Sequence, residues 1–225
     1  MKKFLKDKNI LFFGQENCEN SEKAIKFLNH LGCEIKVIRG SRRNKVLPEY
    51  ATNWEGDFIF SYRNYFLIPE FLIKKAKYMA INFHPSTPNY PGTGSCCWAI
   101  YDSCEEFGLT VHLMNKKYDN GKILKVYKFQ ISKDLFVNDL LKESYKFSYE
   151  CFCDYILYLN ESTENDIWSI KNKPNNIKWV SYAKKLSDLN EMREINLDMS
   201  KEEIINRVRS FHFDNYPIKL KIGNN

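Results

Sequence analysis

The stretch NILFFG, residues 9–14, is a short, continuously apolar run that ends in glycine. A strand buried on both faces of a parallel sheet has this pattern, because neither face meets water. Asn20 or Ser21 can then cap a helix over residues 22–31, and Gly32 stands where that helix should end. The beginning of the chain therefore predicts a strand followed by a helix, the basic β-α unit.

The same alternation continues along the first half of the chain. Apolar runs at residues 34–40, 57–62 and 78–84 predict further strands, and residues 69–76 predict a short helix before the last of them. Strands that alternate with helices in this way form a mostly parallel sheet with helices packed on it. We therefore expect an α/β protein with a Rossmann-like, mostly parallel sheet flanked by helices.

The second half predicts a helix over 95–104, strands over 108–114 and 121–131, and a long amphipathic helix from 134 to about 160. Residues 161–180 are polar and lack periodicity, so we expect a connection there. Ser200 and Glu203 have capping-box spacing and predict a helix start. We place a boundary near 185, with a catalytic domain over 1–185 and a short helical or hairpin extension over 186–225.

Composition limits the class of protein. Of the 225 residues, 44% are hydrophobic and 28% are charged, which is typical of a soluble globular domain. The net charge of +6 favours an anionic partner, although it does not distinguish a nucleotide from a phosphorylated metabolite, RNA or a membrane. No run reaches transmembrane length, and Asp7 and Lys8 interrupt any signal-peptide core, so we expect a cytoplasmic protein.

The seven cysteines do not indicate disulfides or a metal site. Their number is odd, Cys96 and Cys97 are adjacent, and Cys151 and Cys153 have no second pair at zinc-ligand spacing. We expect reduced thiols and no structural zinc.

Asn82 and His84 are the strongest candidates for chemistry. Residues two apart on a strand share a face, so these two project together while Phe83 turns into the core. They end their strand, where ligands bind in open parallel sheets, and the prolines that follow stiffen the next loop. A histidine there can accept a proton and an amide can stabilise an oxyanion, and with an acidic group added the set suits acyl transfer. The alternative is that His84 is satisfied by a backbone carbonyl and Asn82 closes a turn.

Several motifs together resemble one enzyme family. N-x-H-P-S at 82–86, Pro91-Gly92, G-L-T-V-H at 108–112 and D-N-G at 119–121 resemble the formyltransferases that use 10-formyltetrahydrofolate, most strongly over residues 57–131. The resemblance implies that an amine attacks a formyl carbon surrounded by Asn82, His84 and Asp119. Asn82 would bind the oxyanion, His84 would take the amine proton or stabilise the oxyanion, and Asp119 would orient His84 or shuttle a proton through water.

The resemblance also implies a folate site. His112 matches a second histidine near the folate, and the backbone around Tyr65, Phe66 and Leu67 would meet the pterin ring. The alternative for the loop is an aromatic strand-to-helix connection with no ligand. The alternative for His112 is an ordinary residue of a strand. Two histidines and a carboxylate converge here, but we expect no metal site, because zinc or iron needs ligands that close its coordination geometry and Asn82 is a poor substitute for a strong ligand.

The family acts on different amines, and the sequence favours one of them. The purine-pathway enzyme holds phosphate in a Gly/Ser-rich turn, where this chain has Glu16 and Glu19, which would repel it. The tRNA enzyme adds a β-rich domain, for which the fourteen residues after Phe211 leave no room. INFHPSTPNYPG and RVRSFHFDNYP resemble the branch acting on nucleotide-linked amino sugars. We expect a substrate such as dTDP-4-amino-4,6-dideoxyglucose, used for surface polysaccharides.

On this hypothesis the sugar amine passes Gly92, and the nucleotide or pyrophosphate meets Tyr182, Lys184, Arg207 and Arg209. We expect no nucleic-acid or membrane partner, and an aromatic tail that we take to be exposed suggests a homodimer. Two alternatives stay open. One is a formyltransferase for a purine precursor or an aminoacyl-tRNA, and the other is a nucleotide-binding module without catalysis.

Overall fold

The main sheet has six strands. The computed structural model describes residues 3–41, 46–213 and 216–222. The six strands are β1 (Asn9–Gln15), β2 (Glu34–Gly40), β3 (Gly56–Tyr62), β4 (Ala76–His84), β5 (Glu106–Leu113) and β6 (Ile123–Gln130). A separate pair consists of β7 (Glu194–Ile195) and β8 (Lys219–Leu220).

Helices flank this sheet. They are α1 (Glu19–His30), α2 (Glu49–Thr52), α3 (Glu70–Ile73), α4 (Ser95–Tyr101), α5 (Val137–Glu161), α6 (Glu164–Asn172), α7 (Leu186–Met192) and α8 (Lys201–Phe211). Within the described ranges, no helix is both long and apolar enough to cross a membrane.

The strand order is β2-β1-β3-β4-β5-β6. Pairs β1–β2, β1–β3 and β3–β4 are parallel, whereas β4–β5 and β5–β6 are antiparallel. The expected α/β, Rossmann-like fold is confirmed, with an antiparallel edge added to a parallel core. The antiparallel edge is possible because β5 and β6 are joined by a hairpin, whereas a parallel pair needs a crossover connection.

The apolar runs of the central strands pack on both faces of the sheet. Phe12, Phe58 and Phe60 lie on one face, in the cluster that contains Phe152 of α5. Leu11 and Phe13 alternate with them and lie in the cluster on the other face. Successive residues of a strand point to opposite faces, which explains why NILFFG is apolar without interruption.

The C-terminal extension packs on the body of the protein. Phe211 of α8 is fully buried, with its ring 5.1 Å from that of Trp98 in α4. Phe213 and Tyr216 are half-buried and lie 5.0 Å from each other. The expectation of an exposed aromatic tail is therefore wrong, and it no longer supports a homodimer. Asp214 and Asn215 of the quoted C-terminal motif lie outside the described residues, as do residues 223–225 of the predicted extension.

Two local expectations need correction. Residues 161–180 are not all connection, because α6 occupies 164–172; Thr163 and Asp166 form its capping box, and Ile167 is buried in the core. Helix α1 begins earlier than expected, with Cys18 at its N-cap position. Ser21 does not cap it, because its hydroxyl accepts the N–H of Gln15 at 3.0 Å instead.

Candidate active site

The end of β4 places two polar side chains on one face, as expected. Phe83 points into the core, and Asn82 and His84 project from the opposite side of the strand. The β4–β5 register puts Asn82 opposite His112 and His84 opposite Thr110. Because directly opposite residues of paired strands share a face, Asn82 Nδ2 lies 3.1 Å from His112 Nε2.

Asp119 joins the two histidines. It lies in the β5–β6 turn with a left-handed backbone (φ 38°), which aspartate tolerates better than most residues. Its Oδ2 is 3.3 Å from His84 Nδ1 and accepts the N–H of Gly92 at 2.9 Å. Its Oδ1 is 3.6 Å from His112 Nε2. The structure therefore brings Asn82, His84, His112 and Asp119 together.

Backbone carbonyls determine which nitrogen of each imidazole carries a proton. His84 Nε2 lies 3.1 Å from the carbonyl of Tyr90, and His112 Nδ1 lies 2.9 Å from that of Leu113. A carbonyl oxygen only accepts, so these nitrogens are assigned as donors. His84 then turns Nδ1 towards Asp119, and His112 Nε2 accepts the amide N–H of Asn82. Nδ1 of His84 is thus the nitrogen that can take up a proton next to a carboxylate.

The carboxylate of Asp119 is held in its ionised form. Burial by itself would raise its pKa, but the positive charge of His84 and His112 when these imidazoles are protonated, together with the N–H of Gly92, lowers the pKa below its usual value. The site therefore holds a negative charge at neutral pH beside two imidazoles. Such a carboxylate stabilises a histidine that becomes protonated during a reaction.

The proline loop, residues 85–94, is tied to the same strands. Thr110 Oγ1–H donates to the carbonyl of Ser86 at 2.7 Å, and the N–H of Ser86 donates to the carbonyl of His84 at 2.7 Å. These bonds, together with the prolines, hold the loop against the end of β4. The loop therefore supplies fixed backbone groups to the site, the Tyr90 carbonyl and the Gly92 N–H.

A segment that the sequence marked only as a connection covers the site. We call residues 173–185, between α6 and α7, the strap. Trp179 of the strap lies with its ring centroid 5.6 Å from that of His84 and 5.0 Å from that of His112. Sequence reasoning missed this residue; the one available signal was an isolated tryptophan in a polar stretch.

The predicted folate loop follows β3, which is paired with β4 so that Ser61 lies opposite Asn82. The side chain of Asn64 accepts the N–H of Phe66 and donates to its carbonyl, both at 2.8 Å. Both backbone groups of Phe66 are therefore bonded to Asn64, and its ring is buried, while contact of this backbone with the pterin stays a prediction. Tyr65 and Leu67 present their side chains at the surface, with exposed fractions of 40% and 53%.

The four predicted substrate contacts separate into two groups. Lys184 lies beside the proline loop, because its N–H donates to the carbonyl of Pro91 at 3.1 Å and its carbonyl accepts the N–H of Thr93 at 2.8 Å. In the same strap, Tyr182 donates its hydroxyl to Asp188 at 2.8 Å. Both residues therefore lie in the strap, and Lys184 joins it to the proline loop.

The other two predicted contacts lie on α8 and join it to its neighbours. Arg207 donates to Glu203 at 2.5 Å and to the carbonyl of Glu194 at 2.9 Å. Arg209 donates to the carbonyl of Ile100 at 2.9 Å and to the carbonyl of Lys133. These contacts hold the extension in place. They do not involve Asn82, His84 or Asp119, the three residues predicted to be catalytic, which we call the trio.

A cavity of about 470 Å³ opens where β1 and β3 end. Arg63 lines it from a left-handed backbone (φ 55°), with its guanidinium 3.7 Å from the ring centre of Tyr145. Glu19, expected to repel a phosphate here, is paired with Lys23 at 2.7 Å. The cavity thus has a cation, Arg63, that sequence reasoning did not select. In the described part of the chain, no three His, Cys, Asp or Glu side chains are arranged to hold a metal ion.

Comparisons with known proteins identify relatives of this chain. A protein-family model described as formyl transferase matches residues 9–156, about two thirds of the chain. The chain is 39% identical over 91 residues to a GDP-perosamine N-formyltransferase of Brucella melitensis, which covers 40% of this chain and 35% of the relative. It is 26% identical over 191 residues to a methionyl-tRNA formyltransferase of Mycoplasmopsis pulmonis, covering 84% of this chain and 63% of that relative. The chain thus matches about a third of the length of the Brucella relative.

The fold also matches solved structures. An N-formyltransferase of Helicobacter canadensis, solved with folinic acid and dTDP-3-aminofucose, superposes with a TM-score of 0.68. The match covers 95% of this chain and 83% of the other at 21% identity. At this identity the likeness shows the shared fold.

Proposed function

Because the chain belongs to the formyl transferase family, we propose that it transfers a formyl group from 10-formyltetrahydrofolate to the amine of a nucleotide-linked amino sugar. The observation that carries this proposal is the buried contact of His84 Nδ1 with Asp119 at 3.3 Å, beside the amide of Asn82. Acyl transfer to an amine needs a proton acceptor, a charge that stabilises it and a donor for the oxyanion. These residues supply all three.

Each residue has a role that follows from its position. When bound, the folate supplies a formyl carbon that an amine can attack. Asn82 donates its amide N–H to the carbonyl oxygen as negative charge develops on it. His84 takes the proton of the attacking amine at Nδ1, and Asp119 stabilises the resulting imidazolium. The same proton is then available to the departing nitrogen of the donor, so His84 returns to its neutral form.

The residues beside the trio fit a flat, partly apolar donor. Tyr65 and Leu67 offer exposed apolar side chains on the loop after β3, next to the strand that carries Asn82 and His84. Burial of such surface against a planar ring is favourable at about 25 cal/mol per Å². His112, with Nε2 3.6 Å from Asp119 Oδ1, adds a polar side chain beside the trio. We therefore assign the folate to this side of the site.

A nucleotide-linked amino sugar is the proposed acceptor because the names of two similar proteins contain such a sugar. The Brucella relative is a GDP-perosamine N-formyltransferase, and the Helicobacter structure holds dTDP-3-aminofucose. We propose a dTDP-linked or similar amino-dideoxy sugar, used in the cytoplasm for surface polysaccharides. The cavity beside Arg63 is our candidate for its pyrophosphate, since a guanidinium binds phosphate oxygens well.

A second acceptor deserves a test. The Mycoplasmopsis relative, a methionyl-tRNA formyltransferase, matches 84% of this chain, a larger share than the Brucella relative matches. An aminoacyl-tRNA is therefore the alternative substrate. It would use the same trio, because the attacking group is again an amine.

Mass spectrometry on a panel of acceptors tests the proposal. The purified chain is given 10-formyltetrahydrofolate with amino-sugar nucleotides, methionyl-tRNA or glycinamide ribonucleotide. We expect one formyl group on a sugar nucleotide and none on the other two. Formylation of the tRNA alone would establish the alternative. Binding of 5-formyltetrahydrofolate is measured in parallel, and its failure together with no product on any acceptor would favour a module without catalysis.

A further inference from the structure

The ring of Trp179 packs against both histidines of the site. Its ring lies 5.6 Å from His84 and 5.0 Å from His112, at interplanar angles of 70° and 85°. Such edge-to-face contacts restrict how an imidazole can rotate. A single side chain of the strap therefore touches both histidines.

The same side chain holds the turn that carries Asp119. Trp179 Nε1–H donates to the carbonyl of Gly121 at 2.7 Å, two residues beyond Asp119. The backbone of Gly121 is itself packed closely, since a Cβ there would lie 1.6 Å from the carbonyl of Leu113. The indole thus connects the two imidazoles to the turn whose carboxylate lies between them.

The strap holds Trp179 in place through backbone contacts on both sides. Val180 N–H donates to the carbonyl of Pro88 at 3.2 Å, and Asn175 Nδ2–H donates to the carbonyl of Ile123 at 2.8 Å. Trp179 also lines an open cavity of about 290 Å³ between the strap and residues 120–123. The half-buried indole therefore borders both this open cavity and the two imidazoles.

From this arrangement we infer that Trp179 is a positioning residue for the formyl transfer, and this inference rests on the proposed function. It keeps Nδ1 of His84 directed at Asp119 and Nε2 of His112 directed at Asn82, and it shields these contacts from water. Electrostatic interactions are stronger where water is excluded, so loss of the indole weakens each of them. Trp179 itself exchanges no proton.

Two variants distinguish the contribution of the aromatic ring of Trp179 from that of its N–H donor. Trp179→Leu removes both, whereas Trp179→Phe keeps a smaller aromatic ring and removes the N–H. We expect Trp179→Leu to lower kcat about 100-fold, the effect of a small misplacement of reacting groups, with KM nearly unchanged and a shifted pH–rate profile. Trp179→Phe should restore part of the rate. Trp168→Leu is the matched control, because Trp168 packs on Tyr78, with ring centroids 5.4 Å apart.

A second readout does not depend on activity. The protein has 4 histidines, so nitrogen NMR of the labelled full-length chain can follow each imidazole. Trp179→Leu should change the tautomer signals of His84 and His112 and leave His30 and His212 unchanged, and Trp168→Leu should change none. If these signals stay unchanged in Trp179→Leu, the inference is overturned, whether or not kcat falls. If Trp179→Leu does not fold, Trp179→Phe provides the same test through the lost N–H.

The two proposals can fail separately. Absence of product on every acceptor with the unaltered protein would reject the proposed function, while the histidine signals would still report on Trp179. Product with the unaltered protein, and unchanged histidine signals and kcat in both Trp179 variants, would reject only the positioning role.

Discussion

At the scale of single residues, Asp119 organises the site. One carboxylate lies within reach of His84, His112 and the N–H of Gly92, which come from β4, β5 and the proline loop. Its turn conformation, with φ 38°, is uncommon outside glycine, so the surrounding contacts must hold it. A strained, buried carboxylate between two imidazoles is typical of a functional site.

Asp119→Asn should change how stability depends on pH. The folded-state pKa of Asp119 lies below its ordinary value of 3.8, so its contribution to stability is complete at neutral pH. That contribution is lost as pH falls below 3.8 towards the lowered pKa. The stability difference between the unaltered protein and Asp119→Asn should therefore be largest near neutrality and shrink in acid. Urea unfolding across this range measures it.

The control for this experiment is Asp198→Asn, because Asp198 is exposed in the turn before α8. Its stability curve should run parallel to that of the unaltered protein at all pH values. A parallel curve for Asp119→Asn as well would contradict the assigned role of the buried carboxylate.

Asn82→Ala should reduce kcat strongly. Removal of a single oxyanion donor costs about 100-fold to 1,000-fold in kcat. KM should change little, since the donor acts on charge that develops only in the transition state. Steady-state formyl transfer measures both constants. Asn89→Ala is the matched control, because Asn89 is exposed in the proline loop, and it should keep nearly full activity. Equal activities of the two variants would rule out the oxyanion role.

At the scale of elements, the site depends on the contact between the proline loop and the strap. Gly92 has φ 89°, and a Cβ added to it would lie 2.3 Å from the carbonyl of Lys184. Only glycine allows both the left-handed backbone and this close approach. The same residue donates its N–H to Asp119, so docking of the strap and geometry of the carboxylate are linked.

Gly92→Ala should therefore release the strap and impair catalysis. A left-handed alanine costs about 1 to 2 kcal/mol by itself, and the clash with Lys184 adds to this. We expect lower stability than in the control, faster hydrogen exchange over residues 173–185, and most of the activity lost.

Gly32→Ala is the control because its φ of 80° is similar, while the nearest atom to an added Cβ is the flexible Lys6 side chain at 3.3 Å. Gly32→Ala should show only the stability cost of a left-handed alanine. Hydrogen exchange in the strap should match that of the unaltered protein. If Gly92→Ala resembles Gly32→Ala in stability, exchange and activity, the loop–strap contact is not required.

At the scale of the whole molecule, the C-terminal extension is part of one packed body. Phe211 of α8 is fully buried with Trp98 and Tyr101 of α4, in a cluster that also contains Leu140 of α5. The boundary near residue 185 remains a prediction, and this packing argues that the two parts unfold together.

Phe211→Ala should destabilise the entire protein. Loss of a fully buried phenylalanine costs about 3 to 5 kcal/mol of the free energy of unfolding. Far-UV and near-UV circular dichroism should still report one transition at a lower urea concentration. Phe71→Ala, whose side chain is 51% exposed, should change stability by less than about 0.5 kcal/mol. Two separate transitions in Phe211→Ala would show that the extension folds as an independent unit.

The residue sequence by itself determined the six strands of the main sheet and most of the helices, although it did not predict α2, α6 and α7. It also determined that Asn82 and His84 lie on one face of β4. NILFFG reads as a buried strand because its apolar character is local, and Asn82 and His84 share a face because strand periodicity is local. The capping pair at Ser200 was read correctly as a helix start, since capping acts over one turn.

Only the tertiary structure decided what surrounds those residues. Trp179 lies more than sixty residues from His112 along the chain, and no local pattern connects them. The Arg63 cavity and the contacts of Arg209 with the carbonyls of Ile100 and Lys133 likewise depend on contacts between distant segments. Helix and strand periodicity acts over neighbouring residues, whereas a site is closed by long-range packing, and a single sequence contains no repeat or spacing that records such contacts.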